Sequence, residues 1–155
     1  MTFRSSASVI GIALVLIYAI GSGLWVNTGD GWYRNLNQPS WQPPDFIFGL
    51  IWPYNFVVLA IAAVVVSQRA SKPVVAIYLA LFAASVVSAL VWAFQFYRPH
   101  NLVAASIALT VTVLLTVPMT ITLFTVSVPV ALAVVPYQVW VAVAATLSWR
   151  YSRLN

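Results

Sequence analysis

The chain has no cysteine, one histidine, two acidic residues and seven basic ones among 155 residues. Each scarcity excludes a class of chemistry. Without cysteine there is no disulfide and no thiol nucleophile. His100 with Asp30 and Asp45 cannot supply the ligand set of a protein-held metal, and no metal site is expected. A serine-histidine-aspartate arrangement would have to use His100, which follows Pro99 in a turn-like stretch. Charged types make up 6% of the chain, where a soluble domain carries roughly 25%. Such a chain cannot cover a water-facing surface, so a soluble enzyme and a disordered chain are both excluded. The net charge of +5 does not indicate nucleic acid. Its cations, Arg4, Arg34, Arg69, Lys72, Arg98, Arg150 and Arg153, are scattered beside apolar runs, where interfacial charges of membrane proteins sit.

What is abundant is apolar: 63% of residues, with seven Trp, seven Tyr and eight Phe. A membrane-spanning helix needs roughly 20 mostly apolar residues. Residues 7–26, 46–67 and 74–97 form three such runs. Residues 102–149 contain no charge and are too long for a single span, but Ser127 and Pro129 break them into 102–124 and 129–152. The sequence therefore predicts an all-α integral membrane protein, one domain over 1–155, with a bundle of five transmembrane helices. The runs do not alternate as barrel strands do. Pro53 and Pro118 fall inside spans, where neighbouring helices can satisfy the freed carbonyls. The cations divide three against four between the two faces, so they do not set the orientation. No Asp, Glu or His lies inside a span, which argues against a proton-coupled transporter.

The link between the first two spans, residues 27–44, reads NTGDGWYRNLNQPSWQPP. Its prolines stiffen the backbone, and Trp32, Tyr33 and Trp41 can pack on helix ends. It reads either as a rigid lid over one mouth of the bundle or as an aromatic segment resting on lipid headgroups. Helix periodicity then sorts the aromatic residues. Phe48, Trp52 and Phe56 share one face of the second span, and Tyr137, Trp140, Ala144, Leu147 and Tyr151 form a stripe on the fifth. Trp149 falls on the opposite face from Trp140. Ser85, Ser88, Trp92 and Gln95 form a mildly polar stripe on the third span, of the kind that faces a bundle interior. Trp52, Phe56, Trp92, Tyr137 and Trp140 would then wall a cavity suited to a flat ligand. The alternative use of the same rings is helix packing.

The segment WYRNLNQPSWQPPDFIFGLIW (32–52) resembles the signature of the tryptophan-rich sensory protein/translocator protein family, the peripheral benzodiazepine receptors. Trp32, Tyr33, Leu36, Pro39, Trp41, Pro43, Pro44 and Trp52 fall in step with it, and Gln38 stands where Lys is usual. VPYQVWVAVAATLSWRYSRLN (135–155) resembles the family's fifth-helix block through Pro136, Tyr137, Trp140, Ala144, Leu147, Leu154 and Asn155. Val143 and Ser148 replace the usual Phe and Asn. The resemblance implies a five-helix protein, commonly dimeric, that binds tetrapyrroles such as protoporphyrin IX and haem beneath the first loop. The tetrapyrrole is a ligand there, with no covalent cofactor. By motif position it places Tyr33, Pro44, Ile47, Trp52, Phe56, Trp140, Ala144 and Leu147 in the ligand site, to which the helix faces add Ser88, Trp92, Gln95 and Tyr137. It also links Trp52 and Trp140 to light-dependent porphyrin breakdown, so a photochemical enzyme is the alternative function. A ligand-free structural or partner-binding protein is a further one. A bacterial cell membrane is the expected location. Leu147, Tyr151 and Arg153 fit the loose sterol pattern, which is weak by itself. The sequence departs from the family where Ser88 and Val91 replace a third-span Asn. It departs again where AASIA (104–108) lacks a fourth-span acid. Either departure would alter ligand preference. Small residues at Ala84 and Ser88, and at Ala104, Ala108 and Thr112, suit close helix packing or a dimer interface.

Overall fold

The computed structural model describes residues 2–155. Its elements are α1 (Phe3–Trp25), α2 (Gly31–Arg34), α3 (Asp45–Arg69), α4 (Lys72–Tyr97), α5 (Leu102–Val126) and α6 (Val128–Leu154). The five long helices are each apolar and long enough to cross a membrane. They run a few residues beyond the predicted spans at most ends, because helix caps extend past the apolar core of each run. The short α2, inside the 27–44 link, has no counterpart in the hydrophobic pattern.

Local chemistry sets the ends. The Thr2 hydroxyl accepts from the Ser5 amide at 3.2 Å, and the Asn101 side chain accepts from the Ala104 amide at 3.0 Å. Both satisfy amides that a first helical turn leaves without partners. Helix α3 starts directly after the Pro43–Pro44 pair. Between α4 and α5 the chain turns in a few residues, with His100 at φ 59°, a left-handed conformation that costs a non-glycine residue energy. Helices α5 and α6 are separated by Ser127 alone. Pro53, Pro118 and Pro136 all lie within helices. The carbonyl of Pro118 accepts the Thr122 hydroxyl at 2.8 Å.

The long helices close into a ring in the order α1, α4, α5, α6, α3 and back to α1. Their outer surfaces are apolar: Leu16, Ile20, Leu50, Val57, Ile77, Val87, Leu114 and Ile121 are all exposed. In water this would be untenable, whereas lipid makes it favourable. The interior holds the hydroxyls. Thr112, Thr116 and Thr120 each donate to the carbonyl four residues earlier, so they cross the membrane satisfied. Ser88 Oγ donates across to the Ala108 carbonyl at 2.6 Å and ties α4 to α5. The small residues Ser88, Ala108 and Thr112 thus serve packing within the bundle. Ala84 faces outward. A Cβ on Gly11 would lie 2.5 Å from that of Ala63, so glycine is what permits α1 and α3 to touch.

Candidate functional site

One end of the bundle gathers the α1–α3 link, the α4–α5 turn and the end of α6. The link is docked onto this end through the contacts that follow. Asp30 caps α2 by accepting from the Tyr33 amide at 2.8 Å. Trp32 stacks flat on His100, with ring centroids 3.7 Å apart and planes 8° apart. Tyr33 leans on Phe96, Tyr97 and Tyr151 at 6.4, 5.9 and 6.3 Å. The Asn37 amide donates to Asn155 Oδ1 at 2.8 Å, and its side chain donates to the Leu154 carbonyl at 3.1 Å. The Tyr151 hydroxyl donates to Gln42 Oε1. Trp41 is 48% exposed, whereas Pro39 two residues earlier is buried.

Beneath the lid lies a cavity of about 410 Å³ between α1, α3, α4 and α6. Its wall is mostly aromatic. Trp52 and Phe56 stack at 5.7 Å with planes 27° apart, as their i, i+4 spacing requires. Tyr18 presents its edge to both, at 5.8 and 5.4 Å. Phe48 meets Trp140 edge-on at 5.1 Å. Trp92 adds a third indole wall, 6.1 Å from Phe96. The indole N–H groups of Trp92 and Trp140 are buried and find no acceptor among the described residues. An indole nitrogen only donates, so both groups are free to donate to whatever occupies the cavity.

Of the residues predicted for a site, the fold brings Tyr33, Trp52, Phe56, Trp92, Trp140, Ala144 and Leu147 together around this cavity. Five others stand outside its wall. Pro44 is exposed at the start of α3, and Ile47 on the same helix is half-buried and does not line the cavity. Ser88 is committed to the Ala108 carbonyl. Gln95 is half-buried and outside the cavity lining, and its backbone carbonyl accepts from the Asn101 amide at 2.8 Å. Tyr137 is buried below the floor, with its hydroxyl near that of Tyr18. A shared helix face does not fix depth along the bundle, so residues of one stripe need not all reach the cavity. The wall also includes Tyr18, Ala19, Ser22, Gly23, Asp45, Phe96, Tyr97, Ser148 and Tyr151, which were not among the predicted site residues. The first helix was the larger omission. Its inner residues Ala7, Gly11, Val15, Tyr18 and Ser22 recur at steps of three and four, a signal readable in the sequence. Trp149 lies on the far face, as expected, and donates to Thr110 Oγ1 at 2.9 Å. Leu147 and Tyr151 are buried facing the cavity, so that pair of the sterol pattern does not face lipid.

The sequence that builds this aromatic cavity and its docked Trp-Tyr loop matches one family over nearly its whole length. Residues 9–154 fit the family described as the TspO/MBR family. The chain belongs to the TspO/MBR family. Protein CrtK of Rhodobacter capsulatus is 30% identical over 125 residues, covering 80% of this chain and 78% of that protein. The tryptophan-rich sensory protein of Cereibacter sphaeroides is 30% identical over 149 residues, covering 92% of each. The tryptophan-rich protein TspO of Chlorobaculum tepidum is 29% identical over 147 residues, covering 94% of this chain and 92% of its own. Like the rest of the TspO/MBR family, the protein is integral to the membrane and multi-pass.

Proposed function

We propose that this member of the TspO/MBR family binds a tetrapyrrole of the protoporphyrin IX type in the cavity beneath the lid, in a sensory or stress-related role. The observation that carries the reading is the aromatic wall of Trp52, Phe56, Trp92 and Trp140 with two unpaired indole donors. Flat rings stack on such a wall, and peripheral carboxylates or carbonyls supply the acceptors. The volume of about 410 Å³ falls within the roughly 300–1,000 Å³ of small-molecule sites. The wall contains no His, Cys or Met, so haem iron would find only tyrosyl or Asp45 oxygen there. That donor set favours a metal-free macrocycle held by stacking.

The test is titration of purified protein with protoporphyrin IX in the dark, followed by tryptophan fluorescence. Saturable quenching is expected, and it should be lost in a Trp52→Ala, Trp140→Ala double variant. Unchanged quenching in that variant would exclude this cavity. A second reading follows from the same tryptophans: an excited porphyrin beside Trp52 or Trp140 can take an electron, giving light-driven breakdown of the ligand. It predicts protein-dependent product on illumination that disappears with Trp140→Phe. Bleaching equal to that of free porphyrin in detergent would dismiss it. We retain a homodimer as the proposed assembly, with outward-facing Ala76, Ala80 and Ala84 on α4 as small residues that allow close approach.

A further inference from the structure

The end of the bundle away from the lid carries a second hollow, of about 270 Å³. It lies where the start of α1 meets the α3–α4 link, between Thr2, Phe3 and Arg4 on one side and Ala70, Ser71 and Lys72 on the other. Side-chain contacts hold the two segments together. Gln68 Nε2 donates to the Arg4 carbonyl at 3.3 Å and to Ser8 Oγ at 3.0 Å. Lys72 Nζ lies over the Phe3 ring, 5.6 Å from its centroid, a distance at which the ring face attracts a cation. Arg4 and Lys72, far apart in the chain, thus border one hollow. The Ser71 hydroxyl beside them makes no capping bond to α4. The charge here is one-sided. Arg69 ends α3 just before the link, which makes three cations at this end. Both acidic residues of the chain, Asp30 and Asp45, lie at the lid end. There Arg34, Arg98, Arg150 and Arg153 share their face with carboxylates, and Arg98 donates to the Leu24 carbonyl at 3.3 Å. No acidic side chain shares the face of Arg4, Arg69 and Lys72. Like charges gathered without a counterion repel one another, and an anion between them relieves this.

We propose that this hollow binds an anionic phospholipid, with the headgroup phosphate between Arg4 and Lys72 and the Ser71 hydroxyl as a neutral donor. The surroundings decide which kind of anion fits. Cations at the ends of spanning helices sit at headgroup depth. Phe3 and Ala70 give the hollow apolar walls, and further along the same two helices Val9, Ile10 and Ile77 are exposed. A small soluble anion gains nothing from those surfaces. A phospholipid sets its phosphate among the cations and lays its chains along the apolar helices. A zwitterionic lipid brings its own ammonium into the cationic cluster and is disfavoured. The site lies on the opposite membrane face from the aromatic cavity and is independent of what that cavity binds.

Native mass spectrometry of the full chain in detergent, titrated with phosphatidylglycerol or phosphatidylcholine, tests it. One phosphatidylglycerol should be retained in preference to phosphatidylcholine. Arg4→Gln and Lys72→Gln should each weaken that first adduct about fivefold, the effect of one cation at a membrane surface. Lys72→Arg, which keeps the charge, should restore most of the affinity. An Arg150→Gln, Arg153→Gln double variant, altered on the other face, should bind as the native chain does. Equal retention of the two lipids would overturn the proposal. So would equal losses in the Arg4 and Arg150/Arg153 variants, which would make the attraction a general one. Displacement of the lipid by an equal concentration of glycerol 3-phosphate would overturn it as well, since the phosphate alone would then be the ligand.

Discussion

At the scale of single residues, the tryptophans divide by the face they occupy. Trp140 looks into the cavity with an unpaired N–H, while Trp149 spends its N–H on Thr110. Trp140→Phe keeps an aromatic wall and removes a donor. Dark porphyrin affinity should fall about fivefold, the equivalent of one hydrogen bond near 1 kcal/mol. Trp149→Phe should leave that affinity unchanged while lowering thermal stability by a similar energy. The same titration and a melting curve in detergent read both. Gly11 makes a different kind of prediction. With its Cβ position 2.5 Å from Ala63 Cβ, Gly11→Val must push α1 from α3. The expected loss is roughly 1–3 kcal/mol, as for other overpacked sites, visible as a lower melting temperature.

At the scale of elements, the lid and the end of α6 act as a latch. Asn37 and Asn155 exchange three hydrogen bonds counting the Leu154 carbonyl, although they are 118 residues apart. Asn37→Ala and Asn155→Ala should each speed hydrogen exchange across residues 30–44. Because each variant breaks the shared contacts, the double variant should add little to either. The lid's fold was partly legible: the prolines indicated stiffness and the Trp-Tyr pair indicated packing. Helix α2 was not, since a four-residue helix is too short to show periodicity and rests on the Asp30 cap.

At the scale of the molecule, the ring of helices places the lid, the α4–α5 turn and the end of α6 on one membrane face. The α3–α4 and α5–α6 links lie on the other. The absence of cysteine makes this directly testable. Gly29→Cys and Ser71→Cys, each a single thiol in the chain, should react with a membrane-impermeant reagent from opposite sides of sealed vesicles. Labelling of both from one side would refute the topology. The experiment also sets the absolute orientation, which the division of Arg and Lys leaves open.

The amino-acid sequence by itself determined the solvent of this protein and the number of its crossings. Apolar run length and charge scarcity are local, additive properties, and lipid reads them one helix at a time. It also determined which aromatic residues share a face, since helical periodicity is local too: the Trp52–Phe56 stack needs nothing beyond α3. Only the tertiary structure decided which faces meet and at what depth. Tyr137 and Ser88 share stripes with cavity residues, yet one lies under the floor and the other bonds to α5. Tyr18 enters the wall because α1 packs beside α3, a contact set by Gly11 against Ala63 rather than by any motif around Tyr18. Asn55 shows the limit most plainly. Its polarity can be read in the sequence, but its burial without a hydrogen-bond partner among the described residues follows from how the helices pack.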